Sequence, residues 1–279
     1  MVRSMAARMQ ALATMGVRLC VFPGLYGLCL AGPWPADLPW QATVRAHPGL
    51  KGAFSSVASR AARSAHMYLV PGSVLVPDGH AFIEWSGVFA PNGDMLGEQS
   101  ATQPDPDLPE RTLGERLMPI DTPVGPLGLL VGRDAEVPDV ARILTLQGAR
   151  LLVAPRAPVA PYSAMQAMAA LWQTTQQNQV FGLESGLAGM ALGRARDGKA
   201  GAVAPAELSP AQSGFLGRPG YYIGDEALTA DLDFERLEAL RLRRPLARHL
   251  NAALYRLSAE AFGVPPGAGH EHARVDADV

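Results

Sequence analysis

The chain has 279 residues, of which 48% are hydrophobic and 18% charged, and its net charge at pH 7 is -2. This length and apolar content suit one large α/β domain with a sizeable buried core. The pI near 6.3 excludes the strongly basic surface with which proteins bind nucleic acid by releasing counterions.

The N-terminal segment predicts a helix followed by a buried strand. Apolar residues recur at helical spacing from Val2 to Ala13, Gly16 ends the helix, and Val17 to Phe22 form an apolar run. A signal peptide is the alternative for residues 17–32. We favour the strand, because Pro23 and several glycines interrupt this stretch and it is shorter than a membrane span.

The cysteine content argues against a secreted protein stabilised by disulfides. Cys20 and Cys29 are the only cysteines of the chain, which is too few for a disulfide framework. Nothing else in the sequence indicates an oxidising compartment. We therefore expect a cytoplasmic protein whose partners include neither a membrane nor a nucleic acid.

The next part of the chain predicts one helix and several strands joined by turns rich in glycine and proline. Asp78-Gly79 and Pro91-Asn92-Gly93-Asp94 are hairpin signals. In chain order, the predictions are a proline-rich loop at Trp34 to Pro48, a helix from Leu50 to Ala61, strands at Met67 to Val70, Val74 to Val76 and Ala81 to Ala90, a further short strand, and a polar loop at Ser100 to Glu115.

The segment from Val124 to Pro155 predicts a strand, a tight turn, a helix and a parallel strand. Leu127 to Val131 are continuously apolar, as in a strand covered on both faces, and the run stops at Gly132. Pro138 is placed to begin a helix, which Gly148 ends. The turn therefore lies at the carboxyl end of the first strand, where α/β proteins place their active sites.

The C-terminal part predicts two more helices around a glycine- and alanine-rich region, and a third helical segment after them. The predictions are a helix from Tyr162 to Trp172, a strand at Val180 to Leu183, a loop at Lys199 to Gly220, a strand and turn at Leu228 to Asp233, a helix from Phe234 to Arg244, a helical extension at residues 251–264 and a disordered tail at residues 265–279.

The pattern G-x-L-V-x-R-D-x-x-x-P-D-x-x-R followed by G-A-R-L-L-V-A-P resembles the nucleophile segment of the nitrilase, or carbon-nitrogen hydrolase, superfamily. The resemblance covers roughly residues 5 to 245, within a domain at residues 1–250. It implies a four-layer α-β-β-α sandwich, two mixed sheets face to face with helices outside, and a homodimer. The strand that begins the family's fold has no counterpart here, so either the true start lies upstream or the sheet is one strand shorter.

The resemblance also implies a catalytic cysteine, glutamate and lysine, which attack the substrate carbon, relay a proton and stabilise the oxyanion. Gly24 takes the place of the glutamate, Ala101 that of the lysine and Gly132 that of the cysteine. No glutamate precedes Glu84, and no cysteine follows Cys29. Lysine is absent between residues 51 and 199, so a small register error restores none of the three groups. We therefore expect no catalytic residue at these positions.

Other residues are candidates for lining the vacated pocket. Cys29 follows Gly24 closely enough to face the same cavity as a relocated nucleophile, although a buried inert thiol is the commoner case. Glu84, Asp134 and Glu136 could activate a water, but a solvent-facing strand position for Glu84 and a turn-fixing role for Asp134 are the simpler interpretations. Arg133 could bind a carboxylate, or it is a plain surface arginine.

Two hypotheses about function follow. The first is a catalytically inactive nitrilase-like protein that binds a small molecule or acts as a scaffold, as a homodimer or beside an active relative. The alternative is an amidase- or nitrilase-type hydrolase that cleaves non-peptide carbon-nitrogen bonds with rearranged groups. We expect no cofactor and no metal, since His270 and His272 lie in the predicted disordered tail.

Overall fold

The computed structural model describes residues 2–32, 39–123, 125–216, 227–245, 250–251 and 253–254. Its helices are α1 Val2–Ala13, α2 Trp40–Arg45, α3 Leu50–Ala65, α4 Pro138–Leu146, α5 Ala164–Ala167, α6 Gln173–Asn178 and α7 Phe234–Arg243. A π-helical turn at Met168–Trp172 joins α5 to α6. None of the helices in the described ranges is long and apolar enough to cross a membrane.

Eleven strands are described, and they form two larger sheets and one hairpin. They are β1 Leu19–Val21, β2 Tyr68–Val70, β3 Ser73–Asp78, β4 Ala81–Phe89, β5 Met95–Ser100, β6 Leu127–Leu129, β7 Leu151–Arg156, β8 Phe181–Gly186, β9 Ala188–Ala191, β10 Arg194–Asp197 and β11 Ala200–Val203.

The first sheet has the order β1-β2-β4-β3, and β5 also pairs with β4. Strand β1 is parallel to β2, whereas β3 and β5 are antiparallel to β4. In this register Glu84 of β4 lies opposite Leu75 of β3. The next residue, Trp85, lies opposite Ser100 at the end of β5. The sheet therefore brings the residue that follows β5 alongside Glu84.

The second sheet has the order β11-β8-β7-β6. Strands β6, β7 and β8 are parallel to one another, and β11 pairs antiparallel with β8. The connection from β6 to β7 runs through α4, as parallel strands require a crossover. This arrangement places the turn at Gly132 at the carboxyl end of β6.

Three hydrophobic clusters hold the layers together. One packs α1 and α3 against the first sheet and includes Met5 and Phe54. A second joins the two sheets and includes Val88 and Leu129. The third packs α4 and the π-helical turn against the second sheet and includes Leu144. The α/β class predicted from the sequence is confirmed.

Most of the predicted elements are confirmed, with corrections where long-range contacts decide the structure. The predicted loop at residues 34–48 contains α2, which buries Val44 completely. The predicted loop at residues 199–220 contains β11, whose small residues become a strand because β8 supplies the ladder. Residues 228–233 form no strand, since no described strand pairs with them. Most of the predicted C-terminal extension, with the whole predicted tail, lies outside the described residues.

Gly72, between β2 and β3, holds the first sheet close to the loop that follows β1. Its φ is +93°, and an added Cβ would lie 2.0 Å from the carbonyl oxygen of Pro23. Gly79, in the β3–β4 turn, has a φ of +57° with open space around the Cβ position. Comparing alanine substitutions at Gly72 and Gly79 therefore separates the cost of an unfavourable backbone conformation from the cost of a steric clash.

We expect Gly72→Ala to lower the free energy of unfolding by more than about 3 kcal/mol, because the backbone must move to admit the methyl group. The matched control Gly79→Ala should cost only about 1 kcal/mol, since only the backbone conformation is disfavoured. Urea unfolding of both variants checks this. Equal losses would show that the contact with Pro23 is not tight.

Candidate functional site

The turn after β6 is built around Gly132 and Asp134. Gly132 has a φ of +63°, a conformation that favours glycine. The Asp134 carboxylate accepts a hydrogen bond from the Val131 N–H at 3.2 Å, and the Asp134 N–H donates to the Val131 carbonyl at 3.2 Å. A short 3-10 turn at Asp134–Glu136 then leads to Pro138, the first residue of α4. The turn is therefore fixed on both sides of Gly132.

Asp134 also ties this turn to the loop after β5. Its Oδ1 accepts hydrogen bonds from the Thr102 N–H and hydroxyl, both at 2.9 Å, and from the Gln103 N–H at 3.1 Å. Burial raises the pKa of Asp134 to about 6, with the nearby charge of Glu84 adding to the rise and the hydrogen bonds from Thr102 and Val131 opposing it. These hydrogen bonds hold the turn after β6 in place, which is the turn-fixing role expected for Asp134.

Glu84 is at the centre of the candidate site. Its Oε1 accepts a hydrogen bond from the Ser73 hydroxyl at 2.6 Å, and its Oε2 forms an ion pair with Arg111. The Glu84 backbone carbonyl accepts from the Ala101 N–H at 2.9 Å. The expectation of a solvent-facing Glu84 is wrong, because β4 is buried on both faces from Glu84 to Phe89 and the side chain is 3% exposed.

The three positions without reactive side chains lie around this glutamate. An added Cβ on Gly132 would lie 2.7 Å from Glu84 Oε2 and 3.0 Å from a terminal nitrogen of Arg111. Ala101 reaches Glu84 through its backbone. Leu25, directly after Gly24, donates its N–H to the Ser73 oxygen at 2.7 Å, and Ser73 in turn bonds Glu84. Gly132 and Ala101 therefore adjoin Glu84, and Gly24 is linked to it indirectly, through Leu25 and Ser73.

Gly24 is held too closely for a side chain. Its N–H donates to the Arg156 carbonyl at 3.0 Å, and an added Cβ would lie 2.8 Å from the Arg156 carbonyl carbon. Both atoms belong to the backbone of β7, so they cannot rotate away. The equivalence of Gly24, Ala101 and Gly132 to catalytic positions stays a prediction from the sequence.

Arg111 is the main site residue that the sequence did not reveal. Its side chain is 1% exposed, and its guanidinium lies 3.7 Å from the Asp105 carboxylate as well as beside Glu84. Its Nε and one terminal nitrogen are buried without a partner among the described residues. Backbone hydrogen bonds of residues 110 and 112 with Phe82 align this segment with β4. The polar loop has no periodicity that would have indicated a buried arginine.

A second charged cluster adjoins the first. Arg156, at the end of β7, pairs with Glu136 at 2.6 Å and Glu184 at 3.0 Å. Burial disfavours the charge of Arg156, but Glu184 and Glu136 raise its pKa above the usual range. Arg133, with a half-exposed side chain, pairs with Glu136 at 2.6 Å on the outer side. Within the described contacts Arg133 thus joins a surface ion pair, as the plainer interpretation expects.

Neither thiol belongs to this group. Cys20 is buried in β1, and desolvation raises its pKa to about 12. Cys29 is exposed, in the 3-10 turn at Tyr26–Ala31, and its pKa is also raised, chiefly by partial burial. Among the described residues no hydrogen bond joins either thiol to Glu84 or Asp134. The residues that the structure describes also contain no group of three potential metal ligands, while His270 and His272 lie outside them.

The comparisons of this chain with known proteins agree on one family. The sequence pattern of the carbon-nitrogen hydrolase family matches residues 2–206. The chain is 26% identical over 219 residues to Omega-amidase NIT2-B of Xenopus laevis, covering 74% of this chain and 76% of that protein.

Similar solved structures agree with this match. The carbon-nitrogen hydrolase from Helicobacter pylori G27 has a TM-score of 0.72 at 19% identity and covers 91% of this chain and 92% of its own. A variant of the amidase from Nesterenkonia sp. AN1 has a TM-score of 0.62 at 23% identity and covers 88% of this chain and 90% of its own. In that structure acrylamide has added to the active-site cysteine.

Asp134 should make stability depend on pH in a direction unusual for a carboxylate. Its pKa rises from 3.8 to about 6 on folding, so between these values the folded state keeps a proton that the unfolded state has lost. The contribution of Asp134 to the free energy of unfolding therefore falls by on the order of 3 kcal/mol as pH rises from about 4 to 6. Below and above this pH range the contribution does not change.

The measurement is the difference in unfolding free energy between the wild-type protein and Asp134→Asn, by urea denaturation from pH 4 to 7. We expect the wild type to lose stability relative to the variant across that range. The exposed Asp139→Asn serves as a control and should show no such trend. A difference that is flat or grows with pH would contradict the assignment.

Proposed function

The chain belongs to the carbon-nitrogen hydrolase family, and from this premise we propose that it is a non-catalytic member that acts as a binding or scaffold protein. The proposal rests on one observation. The space beside Gly132, where the family's thiol would stand, is taken by the buried ion pair of Glu84 and Arg111.

Crowding at Gly132 supports the proposal more strongly than the missing thiol alone. A cysteine there would need a φ near +63° and would place its Cβ within 2.7 Å of Glu84 Oε2. The left-handed conformation alone costs a non-glycine residue about 1 to 2 kcal/mol. Gly24 is limited in the same way by the backbone of β7. Restoring the family's nucleophile and base would therefore require the surrounding structure to move.

The alternative, a hydrolase with rearranged groups, would use the two buried carboxylates next to Gly132. Both of them already form hydrogen bonds or ion pairs. Each oxygen of Glu84 has a partner, Ser73 for one and Arg111 for the other. Asp134 accepts three hydrogen bonds on one oxygen and one on the other. A general base must be free to face the water that it activates. Lone pairs remain on both Glu84 oxygens and on Asp134 Oδ2, but the ion pair and hydrogen bonds hold both carboxylates as buried structural groups, so the geometry disfavours this alternative.

The decisive experiment measures hydrolysis of amides, nitriles and N-carbamoyl compounds by the purified protein. We expect no turnover above the uncatalysed rate, because neither Cys20 nor Cys29 is hydrogen-bonded to the described carboxylates of the site, and Glu84 and Asp134 are already engaged in buried contacts. An amidase assayed in parallel confirms that the assay detects activity. Enzyme-like turnover that persists after Cys20→Ala and Cys29→Ala would overturn the proposal.

Two further variants would then locate such an activity. Glu84→Gln, with its fold checked by circular dichroism, should abolish turnover if the carboxylate pair carries it. Glu110→Gln removes an exposed carboxylate that pairs with Arg45 at 3.3 Å, and it should leave that turnover intact. Loss in Glu84→Gln alone would establish the rearranged mechanism in place of the proposed inert site.

The assembly is the other part of the proposal. We infer a homodimer, or a complex with an active relative, because a protein without catalysis acts through what it binds. Light scattering on the purified chain should give twice the chain mass of 29.5 kDa. A monomer that stays monomeric when mixed with an active family member would contradict the scaffold role and leave ligand binding as the function.

A further inference from the structure

A cavity of about 300 Å³ lies away from the group around Glu84, on the outer side of the second sheet. It is formed by the C-terminal ends of α4 and α6 and by α7. Apolar surface comes from Leu146 and Leu242, which are 53% and 78% exposed. A volume of this size is at the small end of the range for small-molecule sites.

Positive charge is concentrated in this cavity. Arg142, Arg150 and Arg241 line it, and Glu238 is the carboxylate among the lining residues. Glu238 forms an ion pair with Arg150. Burial lowers the pKa of Arg241, and the nearby charge of Arg150 lowers it further. The guanidinium groups therefore lie close enough to repel one another.

Helix capping accounts for only part of this charge. Arg150 donates to the Gly148 carbonyl at 2.8 Å, just past the end of α4, and Arg241 donates to the Gln179 carbonyl at 3.4 Å, just past α6. Each helix end carries about half a negative charge. With Glu238 and the C-terminal end of α7 included, about half a positive charge stays uncompensated. Arg142 carries it, because its guanidinium has no hydrogen bond or ion pair within the described part of the chain.

We propose that this cavity binds a small organic anion of the phosphate monoester or carboxylate class. The anionic oxygens lie against Arg142 and Arg241. The site is separate from the group around Gly132, so it holds whether or not the chain hydrolyses carbon-nitrogen bonds.

Calorimetric titration of the full chain with glycerol 3-phosphate, glycerate and glycerol tests the proposal. We expect one or both of the organic anions to bind and neutral glycerol not to bind. Whichever anion binds more tightly identifies the anionic group. Binding of glycerol as tight as that of the anions, or absence of binding by both anions, would overturn the site.

Variants assign the binding to this cavity. Arg142→Gln should weaken binding about tenfold or more, because a charge-assisted hydrogen bond is worth about 1.5 to 3 kcal/mol. Arg142→Lys should recover part of the affinity by restoring the charge. Arg60→Gln makes the same change on the exposed face of α3 and should bind as the wild type does. Equal affinity in Arg142→Gln and Arg60→Gln would refute the site.

Discussion

The ion pair between Glu84 and Arg111 is the interaction on which the interior of this protein depends. Both side chains are almost wholly buried, at 3% and 1% exposed. Removing one partner of such a pair leaves an uncompensated charge and costs about 3 to 5 kcal/mol. The pair also joins β4 to the polar loop before β6. Because Glu84 additionally bonds Ser73 and the Ala101 backbone, it fixes the loops after β1, β2 and β5 against one another.

This constraint bears on the positions beside it. An added Cβ at Gly132 would meet the terminal atoms of Glu84 and Arg111, and one at Gly24 would meet the backbone of β7. A larger residue at Gly132 therefore requires the buried ion pair to shift, and one at Gly24 requires the backbone to move. Under the proposed non-catalytic role, the small residues at these two positions are in this sense structural.

Whether the sequence predicted an element of the structure depended on whether its signal was local or came from contacts distant in the chain. The strand, turn and helix from Leu127 to Leu146 were readable because apolar spacing and helix signals are local. Strand β11 and helix α2 were missed because pairing with β8 and burial of Val44 determine them. Glu84 was misplaced for the same reason: its partner Arg111 lies 27 residues away in a loop without periodicity. An ion pair between residues so far apart in the chain produces no local sequence pattern from which it could be predicted.

The arginines show how the same side chain serves different ends in one fold. Arg111 and Arg156 are buried, and each lies against two carboxylates, so their charge is neutralised inside the protein. Around α4 and α7 the balance differs, because Arg142 faces a cavity where Glu238 is already paired with Arg150. Guanidinium groups are weakly hydrated and suited to recognising carboxylate and phosphate. The buried arginines are neutralised by carboxylates within the protein, whereas Arg142 is placed to act on an anion outside it, as the proposed anion site requires.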